Sequence, residues 1–137
     1  MQDVDQPNFQ ILAELFPEAE VPVALCSTKE FNDQERVKMR MIDFVKKISE
    51  ATENEEILYL KDWHLVKQFP NYHAYDVPLF FADDWINRYW DELSKSDDKK
   101  DDYRFVYIGK KNSFTPLHCD VFRSFSWSSN VVGVKKW

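Results

Sequence analysis

Apolar residues recur at helical spacing through the first two-thirds of the chain and at every second position in the last third. Phe9, Leu12, Ala13 and Phe16 lie three or four residues apart, which predicts a short amphipathic helix over residues 9–16, closed by Pro17. Residues 21–25, Val-Pro-Val-Ala-Leu, suit a short strand. Asn32 with Glu35 resembles a capping pair, and Val37, Met41, Phe44, Val45 and Ile48 then mark one helical face up to about Glu50. Residues 57–60 read as a second strand, and Asp83 or Asp84 caps a second clear helix carrying Trp85, Ile86, Tyr89, Trp90 and Leu93. Residues 94–102 carry charges of both signs and few apolar side chains, as a solvated loop does. Beyond them the period falls to two over residues 104–108, 121–127 and 131–137, the alternation of strands. Helices followed by strands predict an α+β fold with a mainly antiparallel sheet.

Composition narrows the class. The chain has 137 residues, 44% of them apolar and 16% aromatic, enough to build one hydrophobic core and to exclude wholesale disorder. Its apolar runs, such as residues 21–26 and 77–82, are far shorter than the roughly 18 residues a membrane helix needs. The acidic start, Met1-Gln2-Asp3-Val4-Asp5, does not resemble a secretory signal, and two cysteines make no disulfide scaffold, so a reducing, cytoplasmic location is expected. A formal charge of −6 without a basic cluster argues against direct nucleic-acid binding. Only two glycines leave no phosphate-cradling loop, which argues against nucleotide-dependent phosphoryl transfer.

One short motif carries chemistry. In His118-Cys119-Asp120 an imidazole and a carboxylate stand two residues apart, so on an extended chain both project to one side. Two His and one carboxylate on one face of an octahedral Fe(II) leave three positions open, which is why non-haem oxygenases use that set. By itself a three-residue match is weak, since His and Asp meet at this spacing by chance.

The surroundings are more specific. The stretch Ser113-Phe114-Thr115-Pro116-Leu117-His118-Cys119-Asp120-Val121-Phe122-Arg123-Ser124-Phe125-Ser126-Trp127-Ser128, followed by Gly133-Val134-Lys135-Lys136-Trp137, resembles the JmjC family of Fe(II)- and 2-oxoglutarate-dependent oxygenases. Upstream, residues 21–26, 59–65, 82–87 and 102–107 resemble one branch of that family, whose described activity is lysyl hydroxylation of a translation termination factor. The resemblance implies a double-stranded β-helix with helices packed outside it: residues 1–102 would be the N-terminal helix and strand region, and residues 103–137 the first part of the core. It implies His118 and Asp120 as two metal ligands, and Thr115 and Lys135 as the pair gripping the distal carboxylate of 2-oxoglutarate, with Tyr59 joining them. The protein substrate would be the termination factor.

The family's third metal ligand is a distal His on a late strand, whereas His64 and His73 both precede the motif and Trp137 is the last residue. The expectation is a chain that ends near the middle of its β-helix and begins abruptly, probing as an inactive partial enzyme. A different class stands beside it: a non-catalytic product that binds a partner through its helical N-terminal portion. Other singled-out residues have plain structural readings. His64, between Trp63 and Leu65, suits a packed or hydrogen-bonded histidine, and His73 a solvent-facing one. Asp83 and Asp84 suit helix capping better than acid–base work. Cys119 suits a small core residue, and the Trp85, Tyr89, Trp90 stripe a core-facing one.

Overall fold

The computed structural model describes residues 7–27, 34–52, 55–93 and 102–137. The first helix, α1 (Gln10–Leu15), turns Ala13 and the following Phe16 inward, and Pro17 interrupts it as expected. It leads into β1 (Glu20–Leu25), the centre of the amphipathic pattern: Val21 and Val23 are fully buried on one face. The chain returns as β2 (Arg36–Arg40), enters α2 (Met41–Glu50), and continues through β3 (Leu58–Trp63) and the single turn of α3 (Leu65–Gln68). A 3-10 turn (Leu79–Phe81) precedes α4 (Trp85–Leu93), and β4 (Val106–Gly109) completes a four-stranded, wholly antiparallel sheet of order β2-β1-β3-β4. This is the mixed helix-and-sheet architecture anticipated, compatible with part of a jelly roll.

The second helix begins later than its apolar spacing implied. Residues 36–40, Arg-Val-Lys-Met-Arg, alternate and pair with β1, so Val37 belongs to a strand and the helix starts at Met41. No side chain caps it; instead the Met41 and Ile42 N–H groups donate to the Ala19 and Pro17 carbonyls, at 2.8 and 3.2 Å. Asn32, the expected cap, lies outside the described residues. The charged face of β2 also guards the sheet edge, with Lys38 donating to Glu20 at 2.8 Å.

Met41, Phe44, Val45 and Ile48 of α2 pack over Val21 and Val23 of β1 and Leu60 and Trp63 of β3. Each such large side chain, fully buried, stabilises the fold by roughly 1.5–3 kcal/mol. Leu60 and Trp63 both face this core although they are three residues apart, an odd spacing that a regular strand cannot deliver. A register shift between them resolves the conflict, and Asp62 takes φ 62° within it. The bulge advances the strand's phase by one residue, so Trp63 turns inward and Asp62 is carried to the opposite face.

The two strands anticipated over residues 121–127 and 131–137 do not form. Residues 121–123 make a 3-10 turn, Phe122 and Arg123 sit at φ 56° and 52°, and Gly133 at φ 85°. Alternation is necessary for a strand but not sufficient: the ladder needs a partner, and none of the described strands lies beside these segments. The aromatic stripe of α4 departs from expectation for the same reason. Trp85 and Tyr89 are exposed, and the helix buries only Asn87. Of the charged stretch over residues 94–102, only Asp102 is described, and it is buried, its carboxylate bonded to His64. No helix among the described residues is long and apolar enough to cross a membrane.

Candidate functional site

Helices α1 and α2 cover one face of the sheet; the other face holds the candidate chemistry. Alternation along β3 and β4 sends Leu60 and Ile108 toward the core and Tyr59 and Tyr107 away from it. Tyr59 pairs across the ladder with Gly109, and its ring fills the space that a side chain there would need: a Cβ on Gly109 would stand 2.8 Å from Tyr59 Cδ2. Thr115, which the turn after β4 returns to this face, stands near the Tyr59 phenol. Burial is the main influence pushing the Tyr59 phenol above its ordinary value, while Thr115 draws its pKa down.

Tyr107 stands beside it, the two ring centroids 6.1 Å apart. Its hydroxyl donates to Asp62 Oδ1 at 2.7 Å, and Asp62 Oδ2 accepts from Arg36 at 2.7 Å. Burial, then the bond to Asp62, holds the Tyr107 phenol far above the usual range, and the charge of Asp120 adds to the effect. Lys135 places its Nζ 5.6 Å from the centre of the Tyr107 ring and 4.1 Å from that of Trp137. Tyr59 and Thr115 thus stand side by side, and Lys135 meets them through Tyr107.

His118 and Asp120 project to one side, as their spacing requires, with Nε2 3.4 Å from Oδ1. The Pro116 carbonyl, 2.8 Å from His118 Nδ1, can only accept, so Nδ1 carries a proton and Nε2 is the ring nitrogen turned toward Asp120. Asp120 Oδ2 accepts from the Ser126 hydroxyl at 2.6 Å, leaving Oδ1 for a second partner. Two donors about 2.1 Å from one divalent ion at right angles stand about 3.0 Å apart, so this pair needs only a small closing movement to share an ion. The orienting bonds to the far sides of both ligands are the kind that hold metal ligands in place. Both side chains are about half exposed, open to an incoming ion. Among the described residues no group of three His, Cys, Asp or Glu side chains is gathered to hold a metal.

The remaining residues largely follow their structural readings. His64 bonds to the Asp102 carboxylate and packs its ring 5.0 Å from Phe105. His73 is mostly exposed and pairs with Asp76. Asp84 caps α4, accepting from the Asn87 backbone N–H at 3.0 Å. Cys119 is exposed rather than packed in a core, because the segment around it joins no sheet. Two residues of this face escaped sequence reasoning, Tyr107 and Asp62. The alternation over residues 104–108 could have placed Tyr107 opposite Val106 and Ile108; nothing local announced the bulge that brings Asp62 to it.

No protein-family model matches the chain, and no solved structure matches it. It is 47% identical over 142 aligned residues to a protein named arginine-specific demethylase JMJ20 from Arabidopsis thaliana. It is 46% and 42% identical to proteins named 2-oxoglutarate and iron-dependent oxygenase JMJD4, from Danio rerio and Homo sapiens. Each alignment takes in 96% of this chain but 31–32% of the relative, so the chain spans about a third of the length of the curated relatives it matches. Over nearly its whole length the chain therefore belongs to the JmjC family of 2-oxoglutarate and iron-dependent oxygenases.

Proposed function

We propose that these residues supply part of the iron and 2-oxoglutarate site of a protein hydroxylase whose substrate is a lysine of a translation termination factor, acting in the cytoplasm. The observation that carries this reading is the oriented pair: His118 Nε2 faces Asp120 Oδ1 at 3.4 Å, with the other ring nitrogen committed to Pro116. His118 and Asp120 would hold the metal. The Thr115 and Tyr59 hydroxyls and the Lys135 ammonium would hold the distal carboxylate of 2-oxoglutarate, which is too costly to desolvate unpaired. When bound, iron with 2-oxoglutarate supplies the oxidising power that puts one oxygen atom of O2 into a C–H bond and the other into succinate, with release of CO2. Residues 1–102 then form the N-terminal region, and residues 103–137 the first part of a double-stranded β-helix.

A chimera tests the reading: these residues replace the matching third of the zebrafish relative, and the product is incubated with Fe(II), 2-oxoglutarate and the termination factor. One lysine is expected to gain one oxygen, and His118→Ala or Asp120→Ala to abolish the gain. An unchanged substrate mass from a folded, iron-loaded chimera would remove the lysyl assignment; demethylation of an arginine peptide in its place would redirect it. Residues 1–137 by themselves are expected to turn over no 2-oxoglutarate, since two protein donors hold the metal poorly.

A second reading, a non-catalytic module that binds a protein partner, is favoured by one feature. Leu79, Phe80, Trp85 and Tyr89 on and before α4 are more than half exposed. It gains if the chimera is folded and metal-loaded but inert.

A further inference from the structure

The bulge in β3 has a second effect besides turning Trp63 inward. It delivers the Asp62 carboxylate to the hydroxyl of Tyr107, on the face that carries Tyr59 and Thr115. Bulges of this kind re-aim single side chains beside sites. A tyrosine whose hydroxyl is anchored cannot turn its ring freely, and the anchored face of Tyr107 is the one over which Lys135 stands. Trp137 takes the same ammonium at 4.1 Å, so two aromatic faces hold a flexible four-carbon side chain that is otherwise exposed.

We propose that Tyr107, anchored by Asp62, is a positioning residue that holds the Lys135 ammonium in place for a carboxylate bound at Thr115 and Tyr59. The inference rests on the 2-oxoglutarate reading of this face and adds to it the element that preorganises its cation. Lys135 lies in a segment that joins no strand, so its backbone fixes it poorly; the aromatic clamp supplies the order that the sheet does not. Asp62 is itself neutralised by Arg36, so it orients the phenol without drawing the ammonium away from an incoming carboxylate.

The test uses the 137-residue chain with labelled lysine, followed by NMR during titration with 2-oxoglutarate. The Lys135 ε-methylene signal is expected upfield of the other lysines, because it lies over ring faces. Tyr107→Leu is expected to move it toward the others and to raise the titration midpoint roughly five-fold, the loss of one exposed cation–π contact. Tyr107→Phe, which keeps the ring, is expected to retain most of the upfield shift. If Tyr107→Leu does not fold, Asp62→Asn tolerates the same backbone angle and is expected to raise the midpoint about two-fold. Equal midpoints with an unmoved Lys135 signal would overturn the role of Tyr107. A wild-type chain whose Lys135 and Thr115 signals ignore 2-oxoglutarate would overturn the site reading instead, and the positioning role with it.

Discussion

His118 Nε2 stands 3.4 Å from Asp120 Oδ1 while the Nδ1–H of the same ring donates to the Pro116 carbonyl at 2.8 Å. Nδ1 therefore carries a proton, and Nε2 is the ring nitrogen that can share a metal ion with Asp120 when the imidazole is neutral. Added Mn(II) should broaden the NMR signals of His118, Asp120 and Ser126 in fast exchange, with weak affinity. His118→Ala should abolish the broadening. Tight binding that survives this substitution would place the metal elsewhere.

Gly109 is the position where absence of a side chain matters most to this face. A Cβ there would press on Ser113 and on Tyr59 Cδ2. Rotation would move the Ser113 Oγ but not its Cβ, 2.7 Å away, and the Tyr59 ring is buried, so the strain falls on the strand pair and the turn that follows it. Gly109→Ala is expected to cost about 1–3 kcal/mol, as overpacking does, and to move the Tyr59 ring away from Thr115. A urea midpoint equal to that of the parent chain would show that the ring moves freely.

Alkaline pH should destabilise the fold. Burial raises the folded-state values of Tyr59 and Tyr107 above the ordinary 10.0, so the native state keeps these protons where the unfolded chain has released them. Their contribution is fully present below about pH 10 and declines as pH rises through the folded-state values. Urea midpoints measured at pH 9 and pH 11 should differ for the parent chain and differ less for Tyr107→Phe. An equal drop in both would assign the loss to other groups.

Leu79, Leu117, Phe125, Val131, Val134 and Trp137 are each nine-tenths or more exposed. So much apolar surface promotes association, and residues 121–137 form no ladder that would satisfy their backbone groups. The chain is expected to bind a hydrophobic dye in its native state and to associate as its concentration rises. Sedimentation of a single monomeric species at high concentration, with no dye signal, would count against an open apolar face.

Much of the molecule was legible in the sequence because its signals are local. The spacing of Phe9, Leu12, Ala13 and Phe16 fixes a helix face, Asp84 three residues before Asn87 is a cap, and His118 and Asp120 two residues apart share a side whatever lies around them. The flanks of that pair carried the family, which the relatives bear out. Tertiary structure decided the rest, because pairing and burial are relations between distant segments. Residues 36–40 became a strand since β1 offered a partner, while residues 121–137, equally alternating, remained irregular for lack of one. The bulge that joins Asp62 to Tyr107 answers a demand from the core, to seat both Leu60 and Trp63, and no residue near Asp62 encodes that demand alone.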